Sequence, residues 1–393
     1  MELFLINMYR TFATLWSFLV MGANDAAYGA LIPYLETYYH LSYTIVSLIF
    51  LSPLVGYTLA AFFNQRIHTA FGQRGIALMG PGCHLLAYIV NCIHPPYPVL
   101  VISFVFAGFG NGVEDGAWNA WIGNMANANE LLGVLHGLYG AGAVLSPLVA
   151  TSLITRANVP WYYFYYIMVG CAAIELVTCT VCFWQATGAD FRAKTAAEQN
   201  KGGLKDALLT MPSARVTWLC SLFLLGYVGV EVALGGWIVT FMIQIRHGAA
   251  FASGMVATGF WLGITVGRFI LGFVTPPHRR EDGYLTFGLV LWLVPQFYAS
   301  AVAVSLQGFF LGPLFPGAVV MVTKLLPRHL HVSSIGFAAA FGGSGAAILP
   351  FAVGALAQAK GVQVLQPFII GLSGAIFLAW IGLPRVSKAH RTE

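Results

Sequence analysis

Residues 105–123, VFAGFGNGVEDGAWNAWIG, place two adjacent carboxylates, Glu114 and Asp115, inside a stretch long and apolar enough to cross a lipid bilayer. A carboxylate near the bilayer centre costs roughly 2.5 to 3.5 kcal/mol, so such an acid needs a cavity, a partner or a proton. Adjacent residues of a helix point about 100° apart, so the two side chains cannot both face one spot. This pattern is typical of a membrane helix that serves a polar function.

The same combination occurs in two other apolar stretches. LVMGANDAAYGALI at 19–32 contains Asp25, and LLGYVGVEVALGGWIVTF at 224–241 contains Glu231. No lysine or arginine lies in the middle of these stretches to neutralise the acids. Charge is disfavoured in a medium of low polarity, so we expect at least one of the four acids to carry a proton during function. Together they indicate a route for a polar solute.

Composition places the rest of the chain in the membrane as well. Apolar residues make up 58% of the 393 residues, charged residues make up 8%, and mean hydropathy is +0.77, which is outside the range of soluble domains. A helix needs about 20 apolar residues to span the hydrocarbon core. We therefore predict an all-α membrane protein with twelve transmembrane helices. The predicted spans lie near 10–33, 43–65, 75–93, 97–123, 132–155, 161–184, 216–245, 250–274, 283–302, 303–326, 332–358 and 364–384.

The ninth and tenth predicted helices share a stretch that is short for two crossings. About 44 residues separate Gly283 from Leu326, and Pro295 interrupts the first half of that stretch. We expect one of these two helices to be short or irregular.

The distribution of lysine and arginine predicts the orientation. With both termini in the cytoplasm, the outer side keeps only Arg156, Arg246 and Lys360, as the positive-inside rule requires. The net charge of +5 then reflects topology, and no basic tract interleaved with aromatic residues indicates nucleic-acid binding. The sixteen inner residues are Arg10, Arg66, Arg74, Arg192, Lys194, Lys201, Lys205, Arg215, Arg268, Arg279, Arg280, Lys324, Arg328, Arg385, Lys388 and Arg391.

The two halves of the chain repeat one another. The acid, glycine and isoleucine of residues 25–32 recur with the same spacing at 231–238, and Gly-Ala-x-x-x-Pro at 142–147 recurs at 345–350. Two six-helix repeats are the layout of one large transporter class, and chance similarity between Gly- and Ala-rich helices is the alternative. We predict an N-terminal bundle at 1–186, a cytoplasmic linker at 187–214 and a C-terminal bundle at 215–393.

The residues around the second and third helices carry a specific resemblance. Asn64-Gln65-Arg66 followed by Gly72-Gln73-Arg74, with Gly56 upstream, and the counterpart beginning Gly267-Arg268 resemble the inner-loop signature of the major facilitator superfamily. Asn64 stands where that signature has an acid, which puts its usual charge pairing in doubt. The resemblance implies a conformational role for Gly56, Arg66, Arg74, Gly267 and Arg268.

Three further motifs are similar to the fucose/glucose/galactose permease branch of that superfamily. They are Asp115-x-x-x-Asn119, His136-x-x-Tyr139-Gly and Tyr227-Val-Gly-x-Glu231 with Trp237, and they look closest to fungal relatives of the bypass-of-stop-codon type. The resemblance implies alternating access, with the first, fourth, seventh and tenth helices lining the cavity. Sugar permeases of this branch carry an acid at the position of Gly29, one helical turn after Asp25, so sugar specificity is not inherited.

The candidate site residues follow from helical spacing and from these motifs. Asp115 and Asn119 are four residues apart, and His136 and Tyr139 are three apart, so each pair shares a helix face. For each acid, a hydrogen bond between helices is the structural alternative, and we expect Glu175 to be structural or to reach towards the membrane surface. We assign proton coupling to Asp25, Glu114, Asp115 and Glu231, and substrate binding to Trp118, Asn119, His136, Tyr139 and Trp237.

The sequence therefore predicts a monomeric secondary transporter for a small polar solute, with sugars or polyols favoured and proton symport as the coupling. Export of organic cations or lipophilic amines and a nutrient sensor derived from a transporter remain alternatives, and so does a facilitator without proton coupling. We expect no enzyme activity and no metal or cofactor, because the sequence contains no paired metal-ligand spacing, nucleophile motif or phosphate-binding loop. The six cysteines fall mostly in apolar spans, where we expect them to be buried small hydrophobic residues. The membrane could be the plasma membrane or an internal one.

Overall fold

The computed structural model describes residues 2–125, 127–195, 204–274, 278–327 and 330–384. Five of the basic residues predicted to be cytoplasmic lie outside these ranges: Lys201, Arg328, Arg385, Lys388 and Arg391. The central part of the predicted linker, 196–203, also lies outside the described residues, as do the side chains of Lys194, Lys205, Arg279 and Arg280.

Every regular element in the described ranges is helical, which confirms the all-α prediction. The first half of the chain forms α1 (Glu2–Tyr39), α2 (Tyr43–Val46), α3 (Leu48–Phe71), α4 (Gln73–Cys92), α5 (Tyr97–Gly123), α6 (Ala128–Thr155), α7 (Tyr163–Phe183) and α8 (Gly188–Thr195). The second half forms α9 (Leu204–Leu209), α10 (Ser213–Gln244), α11 (Ala250–Val274), α12 (His278–Leu293), α13 (Phe297–Leu311), α14 (Leu314–Leu325), α15 (His331–Lys360) and α16 (Leu365–Ile381), with a 3₁₀ turn at Val362–Val364.

Local sequence explains where several helices begin and end. Pro96 precedes α5, where the missing proline N–H costs no helical hydrogen bond. Gly72 separates α3 from α4 with φ of +73°, a conformation that favours glycine, and a Cβ there would lie 2.3 Å from the backbone of Thr187. The glycine of the inner-loop signature is therefore required by both conformation and space.

Ten helical segments of the described residues are long and apolar enough to cross a membrane. They include the whole of α3 and α10 and support a multi-pass integral membrane protein. The predicted first and ninth spans are not among the ten. Asn24 and Asp25 interrupt the apolar sequence in the middle of α1, and α12 is only 16 residues long.

The predicted boundary between the ninth and tenth helices is wrong. We placed it at 302–303, whereas α12 ends at Leu293 and α13 begins at Phe297. Pro295 cannot continue the helical hydrogen bonds, and the side chain of Gln296 accepts the N–H of Ala299 at 2.8 Å to begin the next helix. The expected irregularity is confirmed, because the following helix breaks again at Gly312 between α13 and α14.

The chain divides into two compact units. In the first, α1 packs on α6, α3 on α5, and α4 on both α5 and α7. In the second, α10 packs on α15 and α16, and α12 packs on α13. Residues Ala250–Thr258 at the start of α11 group with the first unit, and the remainder of α11 groups with the second.

The same close helix crossing occurs in each unit. A Cβ at Gly142 of α6 would lie 2.0 Å from the carbonyl oxygen of Leu19 in α1, and a Cβ at Gly345 of α15 would lie 2.1 Å from that of Leu225 in α10. Only glycine permits such backbone approach. In both units the crossing lies six residues before the acid of that helix, so the Gly-Ala-x-x-x-Pro repeat corresponds to a repeated packing geometry.

Candidate functional site

Asp25 of α1 receives hydrogen bonds from three side chains. Its Oδ1 accepts from Nδ2 of Asn24 at 3.0 Å and from Nδ2 of Asn111 at 2.9 Å, and its Oδ2 accepts from the hydroxyl of Tyr139 at 2.9 Å. Asn111 belongs to α5 and Tyr139 to α6, so the half-buried carboxylate joins three helices of the first unit. Its donors are all uncharged, and they can support a carboxylate or rearrange around a protonated acid.

A second polar chain runs from α5 to α6. Nδ2 of Asn119 donates to Oδ1 of Asp115 at 2.8 Å, and Oδ1 of Asn119 lies 3.1 Å from Nε2 of His136. Asp115 and Asn119, which share a helix face by their spacing, therefore bond to each other in this structure. Asp115 is half-buried and His136 is exposed, so this chain reaches accessible surface.

The two polar chains share the same pair of helices. Asn111 and Asp115 are four residues apart on α5, and His136 and Tyr139 are three apart on α6, so each helix contributes to both chains. We call the surface formed by Asp25, Asn111, Asp115, Asn119, His136 and Tyr139 the polar face of the first unit. Sequence reasoning missed Asn111, although its place one turn before Asp115 could have revealed it.

Glu114 points about 100° away from its neighbour Asp115 around α5, as the angle between adjacent residues requires. Its side chain is fully buried, and it lies with His84 of α4 and Glu175 of α7. Of the two alternatives expected for Glu175, a structural role or a reach towards the membrane surface, the second is wrong, because Glu175 is fully buried and its Oε2 lies 3.1 Å from Nδ1 of His84. Glu114 therefore does not belong to the polar face.

Glu231 has a basic partner that the sequence analysis did not provide. NH2 of Arg268 in α11 lies 3.0 Å from Oε1 of Glu231 in α10, and the hydroxyl of Tyr227 lies 3.4 Å from the same guanidinium nitrogen. The expectation that this acid lacks a basic neighbour is wrong, because α11 extends to Val274 and carries Arg268 inside the helix. Arg268 is thus an ion-pair residue of the second unit.

Both tryptophans proposed as substrate contacts are buried. The ring of Trp118 is fully buried and stacks on Phe183 with centroids 4.6 Å apart. Trp237 is also fully buried, and its Nε1 donates to the carbonyl oxygen of Pro350 at 2.9 Å. Neither ring is exposed to a solute in this structure, and both make packing contacts. Trp237 instead ties α10 to the proline of the repeated motif in α15.

A sequence model of the Major Facilitator Superfamily matches residues 14–281. The chain belongs to this family. It is 30% identical over 421 residues to Bypass of stop codon protein 6 of Saccharomyces cerevisiae, covering 97% of this chain and 83% of the yeast protein. It is 23% identical over 355 residues to the Glucose/mannose transporter GlcP of Bacillus subtilis, covering 86% and 85% of the two chains.

A solved structure confirms the major facilitator fold. The crystal structure of a D-xylose-proton symporter matches 97% of this chain and 98% of its own, with a TM-score of 0.74 at 13% sequence identity. The resemblance drawn from the motifs is thereby confirmed for the family and for the fungal relative. The protein is a transporter and not an enzyme.

The family's inner-loop glycines lie at helix contacts. A Cβ at Gly56 of α3 would lie 2.1 Å from the carbonyl oxygen of Val105 in α5, and a Cβ at Gly267 of α11 would lie 2.0 Å from that of Phe309 in α13. Asn64 replaces the family's acid, and its Nδ2 donates to the carbonyl oxygen of Val113 at 3.3 Å. It therefore links α3 to α5 through a neutral hydrogen bond.

The arginines of the same signature lie against aromatic rings. The guanidinium of Arg66 lies 5.8 Å from the ring centroid of Phe63, and that of Arg74 lies 5.1 Å from the ring of Trp184. The backbone N–H of Arg74 donates to the carbonyl oxygen of Ala186 at 3.1 Å. The two contacts of Arg74 hold the α3–α4 connection against the segment that follows α7, whereas Arg66 contacts a ring of its own helix.

Proposed function

We propose that this protein is a proton-coupled symporter that moves a small, polar, uncharged solute across a membrane by alternating access. The observation that carries the proposal is the polar face of the first unit. Two half-buried carboxylates, Asp25 and Asp115, are surrounded there by amides, a phenol and an imidazole. Neither carboxylate forms an ion pair with an arginine or lysine of the described residues.

The proton-coupling assignment rests on the contrast between these acids and Glu231. The charge of Glu231 is already neutralised by Arg268, whose NH2 lies 3.0 Å from Oε1 of the acid. Asp25 and Asp115 have only uncharged or conditionally charged neighbours, and in a medium of low polarity a proton is the simplest way to neutralise them. We therefore assign coupling to Asp25 and Asp115, and a structural ion pair to Glu231.

The substrate class follows from the hydrogen-bonding groups of the polar face. Asn119, His136 and Tyr139 offer donors and acceptors suited to hydroxyl groups. Two similar proteins, a glucose/mannose transporter and a D-xylose-proton symporter, support the same class by name. Sugars or polyols come first. Organic cations or lipophilic amines are the second candidate, because Asp25 and Asp115 would also attract a positive charge.

The membrane arrangement proposed with this function has twelve spans and both termini in the cytoplasm. It adds α1 and α12 to the ten segments that are long and apolar enough to cross a membrane. Support for adding α1 comes from its close packing on α6, and support for adding α12 comes from its packing on α13. Two six-helix repeats acting as a monomer complete the proposal.

The decisive experiment is transport by the purified protein in proteoliposomes with an imposed pH gradient. Replacing Asp115 with Asn should abolish uphill accumulation of a transported sugar or polyol while sparing exchange, because exchange needs no net proton movement. Glu130→Gln is the matched control, since Glu130 is an exposed acid in the first turn of α6. If Asp115→Asn still concentrates the solute against its gradient, Asp115 is not the coupling group.

A further inference from the structure

Three side chains in the interior of the first unit form a cluster that the polar face does not use. His84 of α4, Glu114 of α5 and Glu175 of α7 are each fully buried. Each offers one nitrogen or oxygen atom within 4.8 Å of the other two, and Nδ1 of His84 lies 3.1 Å from Oε2 of Glu175. Three different helices therefore bring one imidazole and two carboxylates to a single point.

The cluster contains polar atoms whose hydrogen-bonding capacity is not used. As carboxylates, both oxygens of Glu114 lack a donor at hydrogen-bond distance, and so does Oε1 of Glu175, while Nε2 of His84 also has no partner. The carboxyl groups of Glu114 and Glu175 do approach one another, and Ser17 lies beside both. Most buried polar atoms in proteins are hydrogen-bonded, because leaving one unsatisfied costs about 1–3 kcal/mol. Four such atoms in one cluster require a positively charged partner, which is either a bound ion or a proton shared by the two carboxyl groups.

The surrounding backbone is shaped to admit these side chains. A Cβ at Gly80 of α4 would lie 2.5 Å from Oε1 of Glu114, and a Cβ at Gly110 of α5 would lie 2.7 Å from Nε2 of His84. Any larger residue at either position would displace a side chain of the cluster. Both glycines therefore leave space for the side-chain atoms that have no partner.

Charge identifies the class of ligand. A neutral imidazole with two carboxylates carries a charge of −2, and within the described part of the chain no lysine or arginine forms an ion pair with Glu114 or Glu175. We propose that His84, Glu114 and Glu175 bind one divalent transition-metal ion, which links α4, α5 and α7. An imidazole nitrogen and carboxylate oxygens suit Zn²⁺, Mn²⁺ or Co²⁺, and a divalent ion brings the net charge to zero.

The proposed ion is structural and does not take part in the transport step. Glu114 points about 100° away from Asp115 around α5, and none of the three proposed ligands belongs to the polar face. The side chain of Ser17 in α1 lies beside Glu114 and could complete the coordination through its hydroxyl oxygen. The ion would thus hold together the helices from which the polar face projects.

The test uses the purified full-length protein after treatment with a chelator. Adding Co²⁺ should produce a visible absorption band that saturates at one ion per chain, and Zn²⁺ should compete for it. Both ions should raise the midpoint of thermal unfolding, because a ligand that binds only the folded state stabilises it. Glu114→Gln and Glu175→Gln should each weaken Co²⁺ binding by about tenfold or more.

Asp115→Asn is the matched control. It also removes one carboxylate from α5, but on the other face, so Co²⁺ affinity should be unchanged even where transport is lost. If a Gln variant fails to fold, two Co²⁺ titrations still test the proposal. One uses the wild type, and the other uses Glu114→Asp, which keeps the charge but shortens the side chain. Absence of stoichiometric Co²⁺ uptake by the wild type, as expected if the cluster holds only a proton, would overturn the proposal. So would binding that Glu114→Gln leaves intact.

Discussion

Asp25 and Glu231 occupy matching positions in the repeated sequence, yet their surroundings differ in charge. Asp25 accepts hydrogen bonds from two amides and a phenol, whereas Glu231 faces a guanidinium. A carboxylate with neutral donors can take up and release a proton without leaving a bare cation behind. A carboxylate paired with arginine cannot, because protonating it would leave Arg268 uncompensated. The repeat therefore conserves the position of an acid but gives it a different partner.

Glu231 and Arg268 should stabilise the second unit jointly, so that the effect of replacing one depends on the presence of the other. Arg268→Met alone should lower the free energy of unfolding by about 1–3 kcal/mol, because Glu231 is left buried without its partner. The loss is smaller than for a fully buried pair, because the side chain of Arg268 is 24% exposed. Glu231→Met together with Arg268→Met should lose less than the two single losses combined. A double-mutant cycle on denaturant unfolding in detergent measures this difference. Additive losses would show that the two side chains do not interact.

Spacing along one helix predicted the local contacts but not the distant ones. Four residues separate Asp115 from Asn119, so their hydrogen bond was predictable. Glu231 and Arg268 are 37 residues apart, and His84 and Glu175 are 91 apart, on helices that only tertiary packing brings together. No periodicity in a single sequence specifies which faces of two apolar helices meet. The cluster of His84, Glu114 and Glu175 could not be predicted from the sequence for the same reason.

At the scale of helices, hydropathy located the apolar segments better than it located the connections. Residues 283–326 are apolar almost throughout, so composition alone gave no reason to divide them at one point. The actual connection depends on Pro295 and on the side-chain cap from Gln296, which are local features. Glycine patterns were more informative, because the repeated Gly-Ala-x-x-x-Pro corresponds to a helix crossing in each unit.

These crossings predict a sharp difference between glycines of the same helix. Gly142→Ala should destabilise the protein by about 1–3 kcal/mol, because a methyl group would collide with the carbonyl oxygen of Leu19 at 2.0 Å. Gly133→Ala, where nothing lies within 4 Å, should be neutral or stabilise by about 0.5–1 kcal/mol through helix propensity. Thermal unfolding in detergent compares the two variants.

The second unit supplies a replicate of the same comparison. Gly345→Ala should be destabilising because of the Leu225 carbonyl at 2.1 Å, while Gly343→Ala in the same helix has open space. The contrary outcome is that the two variants of each helix show equal stability to thermal unfolding. Such a result for Gly345→Ala and Gly343→Ala, or for Gly142→Ala and Gly133→Ala, would mean that the helices separate easily at these crossings. The repeated packing would then have no energetic importance.

For the whole molecule, composition predicted the membrane location and the motifs predicted the family, and both are confirmed. These properties depend on sums over many residues, so errors at single positions matter little. Substrate identity depends on a few side chains and on their rotamers, and the sequence did not reveal that Trp118 and Trp237 are buried. Burial of an aromatic ring is set by its neighbours from other helices, which a single sequence does not reveal.

The charge of the transported solute is the last prediction, and it follows from the balance of charge on the polar face. Asp25 and Asp115 contribute two carboxylates and no described arginine or lysine pairs with either, so a dianion would meet repulsion and no bidentate donor. A polyhydroxylated solute would find hydrogen-bonding groups and no charge penalty. Uptake into proteoliposomes should therefore be saturable for a sugar or polyol and undetectable for phosphate or a dicarboxylate. Preferential uptake of a lipophilic amine would favour the cation transporter, because the carboxylates would then act as counter-charges. Saturable transport of a dianion would contradict both candidates, since neither leaves a basic group to bind it.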